Sequence, residues 1–243
     1  PYAVQSGNIT SASSGFTVVQ LDPVTPAAAD VWRIGDPHTI SWVASAVVTG
    51  VTLSYASDGA AFTAIPGASS LSPTSATGGC TPPSGGGCFV WDGTGAAFSA
   101  LNAAKIRFTA NVEASATSAD SAGFTMARLN VTAPAGTDTW IVGTGPHDIT
   151  WQADPPAGNL QIEYRPNSAA AWQDISVVDP LASLLVYPWT ILGQASYVGD
   201  GTAQVRTSMT VGSTTLQAVS PLFTVANPTI AISQPSGGVL GVQ

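Results

Sequence analysis

His38 and His147 are the residues best placed by type to act as a base or a metal ligand, and they are the only histidines among 243 residues. Each follows a proline, in Pro37-His38 and Pro146-His147. A neutral imidazole can do either job, but neither can be done alone. A tetrahedral metal site needs three or four ligands, and Asp36 or Asp148 beside a single histidine, with no Cys or Glu in register, does not supply them. Triad chemistry needs a nucleophile, a base and a group that orients the base. Serines are plentiful, yet no Gly-x-Ser-x-Gly elbow occurs. The two glutamates, Glu113 and Glu163, each fall at an outward position of an alternating segment, and Asp58, Asp154 and Asp200 sit among turn residues. Neither a glycosidase pair nor a calcium loop is written there. The expectation is a non-enzymatic chain with no cofactor and no metal.

Cys80 and Cys88 bracket the stretch Thr81-Pro82-Pro83-Ser84-Gly85-Gly86-Gly87. Two thiols across a Pro/Gly-rich excursion read as a local disulfide, since a metal site would need more Cys or His nearby. A ring of this size contributes roughly 2.5 kcal/mol by restricting the unfolded chain. It also points to an oxidising, extracellular or cell-surface location. The sequons at Asn8 and Asn130 fit that location as candidate N-glycosylation sites. For Trp91, Trp172 and Trp189 two readings stand, packing in a core or an exposed ring that stacks on a glycan or partner.

These residues are positioned by a repeat. Val31-Trp32-Arg33-Ile34-Gly35-Asp36-Pro37-His38-Thr39-Ile40-Ser41-Trp42 returns as Thr139-Trp140-Ile141-Val142-Gly143-Thr144-Gly145-Pro146-His147-Asp148-Ile149-Thr150-Trp151, and Phe-Thr pairs at Phe16, Phe124 and Phe223 stand 108 and 99 residues apart. Those spacings match one small β-sandwich. His38, Ile40 and Trp42 share one face of a strand, as do His147, Ile149 and Trp151. Val51, Leu53 and Tyr55 are matched by Leu160, Ile162 and Tyr164. Phe62 and Ile65 are matched by Trp172 and Ile175, each leading into a further strand. About seven short strands per copy, with turns between them, predict an all-β chain of tandem immunoglobulin-like β-sandwich domains in series. The last strand of one domain runs directly into the first of the next through Ala127-Arg128.

The expected divisions are residues 1–17, the terminal strands of a preceding repeat; 18–126 and 127–226, two full domains; and 227–243, the first strand of a following repeat or a strand-exchange tail. Phe16, Val18, Ile230 and Ile232 mark the candidate assembly strands. With six basic against fourteen acidic residues and a net charge of −8, nothing clusters to neutralise phosphates, so nucleic acid is not an expected partner. No apolar run approaches the roughly 20 residues of a membrane-crossing helix. Only 8% of residues are charged, which lowers repulsion between neighbouring copies.

The pattern from Pro23 to Trp42, with Trp32, Gly35 and Ile40, followed by Val51-Thr52-Leu53 and the late Phe-Thr-apolar strand, resembles tandem Ig-like repeats of secreted microbial surface proteins, of the Kre9/Knh1-like Ig-like domain type. The resemblance implies a β-sandwich and a surface or extracellular role, and it carries no catalytic residues. The function expected is a structural repeat segment of a surface filament, stalk, sheath or layer, whose partners are its own copies or neighbouring repeats. An adhesin or carbohydrate-binding accessory module is the alternative.

Overall fold

The computed structural model describes residues 18–112, 116–155, 158–179, 185–193 and 195–228. The first copy contributes β1 (Leu21–Thr25), β2 (Val31–Arg33), β3 (His38–Ala44), β4 (Gly50–Ala56), β5 (Thr63–Ala64), β6 (Ala76–Thr77), β7 (Gly86–Trp91), β8 (Lys105–Asn111) and β9 (Thr117–Asp120). A long strand, β10 (Thr125–Ala133), leads into β11 (Thr139–Ile141), β12 (His147–Asp154), β13 (Leu160–Arg165), β14 (Gln173–Val178), β15 (Val186–Trp189), β16 (Gly199–Val211), β17 (Thr214–Val219) and β18 (Phe223–Ala226). A single 3₁₀ turn at Ala195–Tyr197 interrupts the strands among the described residues.

In the first copy, β1-β3-β7-β6 faces β5-β4-β8-β9. In the second, β10 and β15 flank β12 on one side, and β11-β18-β16-β13-β14 forms the other. Alternation fills the space between. Ile40, Trp42, Leu53, Ile106, Phe108 and Phe124 are buried in one cluster. Ile149, Trp151, Ile162, Tyr164, Val205 and Phe223 are buried in another. A fully buried tryptophan removes about 200 Å² from water. At about 25 cal/mol per Å², Trp42 and Trp151 are each worth about 5 kcal/mol of transfer free energy.

The copies match in detail. Both first strands slip register at the same point, between Pro23 and Thr25 against β3 and between Val131 and Ala133 against β12. A cis X-Pro bond follows in each, at Thr25–Pro26 and Ala133–Pro134. Asp30 and Asp138 then accept the amides of Ala27 and Ala135 at 2.8 and 2.7 Å, which shapes the turn into the next strand. Gly35 and Gly143 close the Trp-x-x-Gly turn at φ of 100° and 77°, a conformation that costs a side chain dearly.

One expected strand departs. After Phe62 the first copy holds only the two-residue β5, where the second holds the six-residue β14. Pro66-Gly67, with Gly67 at φ 77°, breaks the strand. The following segment folds back on β4 instead, with Leu53 N–H on Ala68 O and a reciprocal pair between Val51 and Leu71.

Candidate functional site

The histidines are structural in both copies. His38 stacks on Trp32 with ring centroids 4.8 Å apart, and His147 on Trp140 at 5.0 Å. Nε2 of His38 lies 2.9 Å from the Arg33 carbonyl, and the His147 ring makes a longer contact of the same kind with Ile141 at 3.4 Å. The tryptophans pack in turn on Phe124 and Phe223. Each histidine therefore ties the Trp-x-x-Gly turn to its strand. No group of three or more His, Cys, Asp or Glu stands together among the described residues. No helix there is long and apolar enough to cross a membrane.

Cys80 and Cys88 form a disulfide with Cα atoms 6.2 Å apart. Cys88 is fully buried in β7, so the bond staples the Pro/Gly excursion to a central strand.

Exposed stacking by Trp91 and Trp189 is corrected by their burial, 6% and 7% exposed. Their positions are equivalent, because His38 pairs with Trp91 and His147 with Trp189 in the ladders. Trp91 packs on Tyr55, and Trp189 on Tyr164, Trp140 and Tyr197. These tryptophans belong to the repeat, not to variable elements. Trp172 is half-buried, with the Arg165 and Arg206 guanidiniums 4.4 and 4.5 Å from its ring centroid. Arg206 is also held in a two-bond fork by Glu163, both contacts at 2.7 Å. Glu163 is on the outward face as its alternation indicated, yet only 7% exposed, because Arg206 covers it.

The first copy builds the same device from other residues. Arg107 lies 3.8 Å from the Phe62 ring centroid and forks onto Asp120. The Arg107 guanidinium holds the Asp120 carboxyl below its ordinary range, and Asp120 raises Arg107 in return. The arginine position is constant while the acid moves, from β9 on one side to β13 on the other. The row of exposed tryptophans that glycan stacking needs is absent from the described residues.

A shallow cavity of about 510 Å³ in the first copy is lined by Pro37, Pro66, Phe89, Trp91, Asp92 and Thr94. Its carboxylate is already used: the Thr94 backbone amide and then its side chain hold Asp92 below its ordinary range. The cavity holds no second titratable group to act with it.

The unusual feature is the junction. β10 pairs in parallel with β2 through Thr125, Met126 and Ala127, then antiparallel with β12 from Arg128 onward. Phe124 and Met126 lie in the first core, whereas Ala127 and Leu129 lie in the second. Alternate side chains of a strand point to opposite faces, so one strand feeds two cores from its two sides. Arg33 bridges the units: Nε donates to Leu129 O at 2.9 Å, and Nη2 donates to Asn130 Oδ1 at 3.0 Å. Nη1 pairs with Asp36 at 2.6 Å. Asn130, read from sequence as a glycosylation acceptor, is thus half-buried in this junction. Val18 is 70% exposed and lies outside any strand. Asn8, Phe16, Ile230 and Ile232 lie outside the described residues.

No protein-family model matches the sequence, the Kre9/Knh1-like type included. No curated protein matches it either. Among solved structures, it is similar to the fibronectin(III)-like modules of Clostridium thermocellum CbhA, at 10% identity over 90% of this chain and 100% of that one, with a TM-score of 0.28. It is similar to the N-terminal four Ig domains of Dscam1 isoform 8.4, at 11% identity over 88% and 48%, with a TM-score of 0.31. The insect immune protein hemolin gives 14% identity over 89% and 52%, with a TM-score of 0.26. The chain thus spans about half the length of the Dscam1 and hemolin chains. The fold assignment rests on the sheets and cores described above: the chain is all-β, built of immunoglobulin-like sandwiches in series.

Proposed function

We propose that this chain is a non-enzymatic structural segment of an extracellular or cell-surface protein, in which two sandwich domains act as a stiff spacer within a filament, stalk, sheath or layer. The observation that carries the reading is β10, which serves the sheets of both domains without a linker residue between them. A flexible join needs unpaired residues, and the residues on either side of Ala127-Arg128 are laddered. The Cys80–Cys88 disulfide supports an oxidising compartment. The sparse charge favours side-by-side packing of copies. On this reading the resemblance to surface-protein repeats of the Kre9/Knh1-like type reflects a shared architecture and role, with neighbouring repeats or copies as partners through their terminal strands.

The experiment is negative-stain microscopy of the purified chain at rising concentration, beside a glycan array. Ordered filaments or sheets without glycan retention are the expected result. A monodisperse monomer that retains a defined glycan would replace this reading with that of an adhesin or carbohydrate-binding module.

A further inference from the structure

The geometry points to Arg33 as the residue that fixes the angle between the two sandwiches, acting as a latch between the first domain's turn and the second domain's first strand. The inference rests on the stiff-spacer reading and goes one step beyond it. β10 makes the join continuous, but a lone β-strand can still twist and bend about its own axis. Something off that axis must resist the motion.

Arg33 is so placed. It ends β2 beside β10, with Ala127 as its ladder partner. Its guanidinium then reaches forward past the join to Leu129 O and Asn130 Oδ1. A planar fork donates in fixed directions, so satisfying both acceptors fixes orientation as well as distance. Asp36 holds the third nitrogen from within the first domain, which keeps the fork from following the second domain if it swings. The side chain is only 21% exposed, so water does not readily replace these partners. A second contact lies across the same gap. Val31 packs against the second core, and the turn at Gly212 approaches both Val31 and Leu101. These are apolar and non-directional contacts, which resist separation more than rotation.

The latch is also specific to this join. The second copy places Ile141 at the position of Arg33, with Ala226 as its ladder partner. Isoleucine offers no donor, so the two copies do not present the same orienting group after their Trp-x-x-Gly turns.

The test is amide residual dipolar couplings of the complete 243-residue chain, fitted separately for each sandwich. The wild type is expected to give one common alignment tensor. Arg33→Met is expected to lose that common tensor while each sandwich keeps its own dispersed amide spectrum. Arg33→Lys keeps charge and length but lacks the fork, and is expected to lose the common tensor as well; it also serves should Arg33→Met fail to fold. A common tensor retained in either folded variant overturns the latch and leaves β10 and the apolar contact around Val31 and Gly212 as the cause of stiffness. Two different tensors already in the wild type would overturn the stiff-spacer reading itself.

Discussion

Ser121 and Ser220 do the same unobtrusive work in each copy. The Ser121 hydroxyl oxygen accepts the Ile106 amide at 3.0 Å and its proton goes to Ala122 O at 2.8 Å. Ser220 repeats this with Val205 and Pro221 at 3.0 and 2.9 Å. Each hydroxyl stands in for a ladder bond where the chain leaves β9 for β10 or β17 for β18, and both serines are buried. Removing the oxygen orphans a buried N–H, so Ser121→Ala should cost about 1–3 kcal/mol in urea denaturation, with Ser220→Ala costing a similar amount. A loss of only a few tenths would mean that water replaces the hydroxyl. Tyr164 offers a test by pH. Burial, and then the neighbouring Tyr197, push its phenol well above the ordinary value of 10.0, and its hydroxyl donates to Tyr197 O at 2.6 Å. A raised folded-state value means that the neutral form is the one the fold favours. Its stability contribution is therefore complete below pH 10.0 and is lost as pH rises above it, where the unfolded phenol ionises first. Denaturation midpoints measured across that range should fall more steeply for the wild type than for Tyr164→Phe. Equal slopes would remove Tyr164 as the cause.

Among the elements, β7 is where sequence and structure can be compared most sharply. Its disulfide was legible from the Pro/Gly content and the spacing of Cys80 and Cys88. Breaking it with Cys80→Ser or with a reductant should remove roughly 2–3 kcal/mol from the first sandwich and leave the second unaffected. Fluorescence-detected denaturation with and without reductant checks this, and an unchanged midpoint would show that the loop is held by other contacts. The alternating strands and the Trp-x-x-Gly turn were equally legible, since period-two patterning and a copied motif are local signals. The role of Trp91 and Trp189 was not, because their equivalence lies in cross-strand register with His38 and His147, and the intervening loops differ in length. β5 is only two residues long for a local reason: Phe62 and Ile65 carry the strand pattern, but Pro66-Gly67 halts it. The fork from Arg206 to Glu163 was not legible in the sequence, because its counterpart in the first copy draws its acid, Asp120, from another strand. A pairing that changes partner between copies leaves no mark in a repeat alignment.

For the whole molecule, the decisive arrangement is that Phe124, just before β10, and Met126 within it go to one core, while odd-numbered Ala127 and Leu129 go to the other. The strand was legible as a direct join, but the change of face was not. It can be read only once the positions of both cores are known. Because strand parity has period two, inserting residues between Ala127 and Arg128 separates two effects of the join. One inserted glycine reverses every downstream position, so that Arg128 and Asn130 would take the places of Leu129 and Val131 against the second core. Two inserted glycines restore the parity but lengthen the path by about 7 Å, beyond the reach of the Arg33 bonds to Leu129 and Asn130. The single insertion should therefore lower the thermal stability of the second sandwich and broaden the small-angle scattering distance distribution. The double insertion should recover most of the stability while the scattering stays broad. If the two variants instead had equal stability, strand parity would have no part in the join, and if both also kept the wild-type scattering, the stiffness of the pair would have to come from the apolar contact around Val31 and Gly212.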